Sequence, residues 1–122
     1  MSEVAYDIKE QLEAVEEGLL DGESLYAVYD SKGAGTGFVG ISDLRVVIQD
    51  ESYVGGKIAL TSLPYARVSA VSLVSNKSVF GRWVEASTLA ITSGETIYEV
   101  EMRGHDKARH AHDLILYFIT RR

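Results

Sequence analysis

The 122-residue chain has the length of one domain, carries a formal net charge of −6 and contains no cysteine, which excludes a disulfide framework, a cysteine zinc site and a thiol nucleophile. No apolar run approaches the roughly 20 residues that cross a bilayer, and the acidic N-terminal stretch lacks the basic flank and apolar core of a signal peptide. The balance of charge also excludes the basic footprint with which proteins neutralise nucleic-acid phosphates or an anionic membrane surface, so the expectation is a cytoplasmic single domain over residues 1–122.

Residues 1–23 hold eight acids and one base, Lys9, a local charge of −7, whereas residues 24–122 sum to +1. Within the acidic segment, 1–22, the spacing of Val4, Ile8, Leu12, Val15 and Leu19 predicts a helix over 4–18 with one narrow apolar face. Gly18 or Gly22 is expected to end it in a left-handed cap. Such a helix docks either on its own domain or on a partner.

From residue 24 to 103 the period is two. Strands are predicted at Leu25–Tyr29, Phe38–Ile41, Leu44–Ile48, Ile58–Leu60, Val68–Ser75, Ala86–Thr92 and Thr96–Met102. The glycine-rich stretch Ser31–Gly37 reads as a loop, Tyr53–Gly56 as a hairpin end and Asn76–Arg82 as another loop. Pro64 marks a strand boundary, since it cannot donate to a ladder. Beyond Gly104 the helical period returns over 105–120, with Asp106 as the expected N-cap. There Ala108, Ala111, Leu114, Ile115, Phe118 and Ile119 form a broad apolar face. About seven short antiparallel strands followed by one closing helix describe a mostly β, barrel-like fold.

Three stretches resemble the small bacterial pleckstrin-homology (PH-like) domain family. Leu19-Leu20-Asp21-Gly22-Glu23 is similar to its "LL-x-G-E" opening. Ile41 to Asp50 resembles its "T-N-x-R" strand, with Ser42 and Asp43 where threonine and asparagine are usual. Ser62-Leu63-Pro64-Tyr65-Ala66-Arg67-Val68 is similar to "S-I-P-Y-x-x-I". The resemblance implies a PH-like barrel with a capping helix, a non-enzymatic role and self-assembly. It does not carry over a phosphoinositide site, because the loop from Tyr29 to Gly37 holds Lys32 as its single base beside Asp30.

No catalytic, cofactor or metal constellation emerges. The glycines at 33, 35, 37 and 40 are followed by a strand, not by the helix a phosphate-cradling loop requires. His105, His110 and His112 sit at one helix, but residues two apart point about 200° from each other, so His110 and His112 cannot share a metal. No G-x-S-x-G motif occurs. Two stretches point instead to binding. Phe80, Arg82 and Trp83 bring the aromatic and arginine composition of interface centres into one loop, unless Trp83 plugs the core. The run Leu114–Ile119 covers every side of a helix, so Leu116 and Tyr117 need a cover, either a partner subunit or the N-terminal helix. The expected function is therefore a self-assembling module that binds a protein or peptide. The alternative is a small-molecule or lipid-headgroup binder using the barrel mouth. No nucleic-acid partner and no strong membrane or phosphoinositide binding are expected.

Overall fold

The computed structural model describes residues 3–31, 37–50, 58–77 and 83–121. Eight strands and two helices follow in chain order. The first are β1 (Ala5–Tyr6), α1 (Lys9–Glu17), β2 (Leu25–Asp30), β3 (Phe38–Ser42), β4 (Arg45–Asp50) and β5 (Ala59–Pro64). A short 3₁₀ turn (Tyr65–Arg67) leads into β6 (Ala70–Lys77), β7 (Trp83–Ser93), β8 (Thr96–Met102) and α2 (His105–Thr120). Strands β1 to β5 lie side by side in one sheet, and β6 to β8 form a second. Among the described residues the sheets do not close into a continuous barrel; an isolated antiparallel bridge between Ser31 and Met102 links them at one corner. All pairings from β2 to β8 are antiparallel.

The alternation of each strand sends one set of side chains into the space between the sheets. Ala27, Tyr29, Val39, Ile41, Val46 and Ile48 from the larger sheet meet Leu89, Ile91, Val100 and Met102 from the smaller one. Helix α2 plugs the gap with Ala108, Ala111 and Ile115, all fully buried, at the three- and four-residue steps that keep one face inward. β2 and β3 are also buried on their outer face, because α1 lies across them. Val15 packs there with Val28 and Phe38 as a separate apolar cluster. Gly40 permits this approach: a Cβ there would stand 3.2 Å from a Val15 methyl. Where the chain reverses between β7 and β8, Gly94 takes φ 62°, a left-handed conformation that glycine adopts without penalty.

The expected helix over 4–18 begins later than its spacing suggests. Ile8 is its N-cap, in extended conformation, and Ala5–Tyr6 instead run parallel to β2, opposite Ala27 and Val28. The Asp7 amide donates to the Val28 carbonyl at 3.2 Å. The edge of β2 offers unpaired backbone groups, and satisfying them outweighs little more than one further turn of a weak helix. The helix ends at Gly18 with φ −97°, so the left-handed cap expected there does not form; Gly22 has φ 83° but sits in the following turn. Gly104, not Asp106, caps α2, and Asp106 falls in the first turn, where a carboxylate suits the helix dipole. The break expected between the strands ending at Ile41 and starting at Leu44 lies at Asp43-Leu44. Asn76 and Lys77, expected at the start of a loop, continue β6, because the β6–β7 ladder runs on to Lys77 opposite Trp83. Residues 32–36 of the glycine-rich loop, the hairpin end at 53–56 and residues 78–82 lie outside the described residues.

Candidate functional site

The three sequence stretches that carry the PH-like resemblance meet at one point. Glu23 is held just before β2, its carboxylate fully buried. Its Oε2 accepts from Arg45 Nε at 2.9 Å and from Ser42 Oγ at 2.6 Å, and its Oε1 from the Leu20 amide at 2.8 Å and Arg45 Nη2 at 3.0 Å. Arg45 spends its remaining donors on Ser62 Oγ and the Gly18 carbonyl. Tyr65, buried below, donates to the Ser42 carbonyl at 2.7 Å. The bidentate Arg45 guanidinium, helped by the Leu20 amide and the Ser42 hydroxyl, holds the Glu23 carboxyl down at about 2 against the opposite push of burial. Burial, followed by the charges of Asp43 and Glu23, raises the Tyr65 phenol well above its ordinary value. Every polar group here has a protein partner. These residues lock α1, β2, β4 and β5 together.

A second polar cluster fastens the N-terminal segment to α2. The Asp7 carboxylate accepts from Lys107 Nζ and from the Asp30 amide. Asp30, buried, accepts from Arg103 Nε at 2.5 Å and Gln11 Nε2 at 2.7 Å. Tyr29 Oη lies 2.6 Å from His110 Nδ1. Burial, with Asp7 nearby, raises the Tyr29 phenol. The three helix histidines go to separate partners: His110 to Tyr29, His112 to Asp113 at 2.9 Å, and His105 to Ser87 at 3.3 Å. Ser87 is only 1% exposed, so its hydroxyl, although beside an imidazole, is closed to a substrate.

One accessible apolar surface lies at the C-terminal end of α2. Leu116 is 42% and Tyr117 51% exposed, and α1 does not cover them because it occupies the outer face of the larger sheet. Phe118, the next residue, is the hub of an aromatic cluster, with ring centroids 5.2 Å from Tyr65 and Tyr117 and 5.3 Å from Tyr26. Tyr26 reaches it because β2 bulges there: two steps from Leu25 to Ala27 oppose one step from Ser42 to Ile41, which re-aims the extra residue. The Arg121 guanidinium sits 4.6 Å over the Tyr117 ring. Beside the cluster opens a shallow groove of about 310 Å³, walled by Leu44, Pro64, Tyr65 and Phe118 with Asp43 and Arg121 at its rim.

Of the sequence-derived candidates, the structure therefore exposes Leu116 and Tyr117 on one helix end. Phe80 and Arg82 lie outside the described residues, and Trp83 enters as the first residue of β7, its side chain likewise undescribed. Of the Tyr29–Gly37 loop, whose single base speaks against a phosphoinositide site, residues 32–36 including Lys32 also lie outside. Tyr26, Leu44 and Arg121 escape sequence reasoning; the bulge carries Tyr26 to Phe118, the chain reversal after β3 places Leu44 in the groove beside it, and Arg121 follows Tyr117 by one helical turn.

No sequence family and no curated protein matches the chain. Solved structures do resemble it. The pleckstrin homology domain from Shewanella amazonensis SB2B superposes with a TM-score of 0.66 at 15% identity, covering 98% of this chain and 93% of that one. A DUF1696 family protein with a pleckstrin-homology domain from Shewanella loihica PV-4 gives 0.62 at 13% identity, over 95% and 96% of the two chains. The hSac2 domain from the human phosphoinositide phosphatase Sac2 gives 0.60 at 10% identity, over 93% and 81%. With two sheets around one core, seven antiparallel strands in order and a C-terminal helix plugging the gap, this chain has the pleckstrin-homology fold in the small form seen in bacterial PH-domain proteins.

Proposed function

We propose that this domain is a non-enzymatic interaction module that self-associates through the exposed end of α2 and binds a protein or peptide partner in the cytoplasm. The observation that carries the reading is the exposure of Leu116 and Tyr117 next to the Tyr26–Phe118–Tyr65 cluster and the exposed Leu44. Aromatic and aliphatic side chains contiguous with an open groove resemble the centre of an interface more than ordinary scattered surface residues. The buried polar groups Glu23, Asp30 and Ser42 are all consumed by structural partners, which favours binding over catalysis.

Light scattering at micromolar concentration tests the self-association: a homo-oligomer is expected, and a monomer rejects it. Leu116→Glu together with Tyr117→Glu reduces the assembly to folded monomers, because a buried unpaired charge is costly. An unchanged assembly in the double variant places the interface elsewhere.

A further inference from the structure

Helix α1 covers only half of the outer face of the five-stranded sheet. Its larger contacts fall on β2 and β3; Val47 on β4 is only 5% exposed, and what remains open is a narrow pocket between α1 and β5. The result is a groove with an apolar floor of Val47 and Phe38, one wall of Ala14 and Gly18 from α1, and an opposite wall of Leu60 from β5. Its volume of about 130 Å³ is close to that of cavities that hold one benzene-sized group. Leu60 is 63% exposed, and among the described residues β5 pairs on one side only, with β4. Arg45 and Gln49 lie at the floor's margin, Arg45 already committed to Glu23.

Acids of α1 stand on the groove side of the helix, next to its Ala14 wall. Glu10 and Glu17 stand four residues before and three after Ala14, on the same side of the helix; Glu13 lies beside them, turned further toward solvent, and Glu16 turns toward the other side. All four are exposed, and no ion pair among the described residues engages them. By contrast Arg45, Arg103, Lys107 and Arg109 each have a carboxylate partner. Two acids of the N-terminal segment thus flank the apolar groove, where they select the charge of what enters.

We propose that this groove docks a basic peptide segment of another protein, one aliphatic side chain seated over Val47 between Ala14 and Leu60, and flanking cationic groups on Glu10 and Glu17. The inference rests on reading the domain as an interaction module. The groove and the α2 surface lie on opposite sides of the larger sheet, so the loss of either leaves the other to be tested.

The probe is a fluorescein-labelled heptapeptide with three lysines on each side of a central leucine, titrated by anisotropy into the intact protein. Saturable, salt-sensitive binding is expected, weakened about tenfold when alanine replaces the leucine and about tenfold by Glu10→Lys with Glu17→Lys. Glu16→Lys makes the same change of net charge as Glu17→Lys alone, but on the far side of the helix, and weakens binding by less than Glu17→Lys does. A photo-reactive leucine at the centre of the peptide should cross-link to 14–18 and 60–62. Absence of saturable binding at millimolar peptide overturns the proposal. So do equal effects of the two single charge reversals, equal affinity of the alanine peptide, or adducts elsewhere. Leu60→Ser provides the remaining discrimination: it should weaken the peptide and leave the solution mass unchanged. A changed mass would mean that a second copy of this chain fills the groove, which also overturns it.

Discussion

Glu23 shows how a single carboxylate can hold several segments at once. Its carboxyl stands near 2 in the folded chain, against 4.5 as its ordinary value. As pH falls below about 4.5 the unfolded chain takes up this proton first, so the stabilisation is full above that pH and drains away as pH falls toward 2. The difference corresponds to about 3 kcal/mol, and urea unfolding between pH 6 and 2.5 should show the loss. Glu23→Gln should remove most of the slope, together with about 3 kcal/mol at neutral pH, because Arg45 then lacks its counter-charge. A variant that keeps the slope would assign the acid sensitivity to another group. Gly37 makes a steric argument at the same scale: an added Cβ would lie 2.3 Å from the Gln49 backbone oxygen. Gly37→Ala must therefore part β3 from β4, at a cost of about 2 kcal/mol or more in thermal or urea unfolding.

Helix α1 is nine residues long and buries one side chain, Val15. A helix that short does not persist alone in water, so its order depends on the sheet beneath it. Val15→Ala should cost about 1–2 kcal/mol, and hydrogen exchange should locate the damage: faster amides over 9–17, unchanged amides in β3 and β7. Uniform acceleration throughout the protein would show that α1 is part of the global cooperative unit. This element also marks where sequence reading stops. The alternation in β2 to β8 and the broad apolar face of α2 are legible because burial imposes those periods directly. Ala5–Tyr6 is illegible because two residues carry no period, and only the open edge of β2 makes them a strand. The bulge at Tyr26 leaves no local signature either, which is why the aromatic cluster around Phe118 surfaces only in three dimensions. Leu116 and Tyr117 were legible because a run of six apolar residues cannot fit one face of a helix.

At the scale of the whole molecule, charge and apolar surface are segregated. The acids line α1, and the described cations nearest the second polar cluster, Arg103 and Lys107, are neutralised by Asp30 and Asp7. Juxtaposed free bases contribute about 1 kcal/mol each at an anionic membrane, and this surface presents no cluster of them among the described residues. Sedimentation with phosphatidylserine vesicles at physiological salt should leave the protein in the supernatant; pelleting that survives high salt would contradict this. The clasp of Asp7 on Lys107 has a kinetic meaning as well. It joins residues 100 apart in the chain, so its loop is among the longest to close and forms after the sheets have found their register. Interactions made after the rate-limiting step govern escape from the native state more than arrival at it. Asp7→Ala should accordingly leave the refolding arm of a chevron in place and raise the unfolding rate about fivefold, the equivalent of about 1 kcal/mol for a half-exposed pair. On this view the N-terminal segment is a latch: folding proceeds without it, and its release sets how long the folded domain lasts.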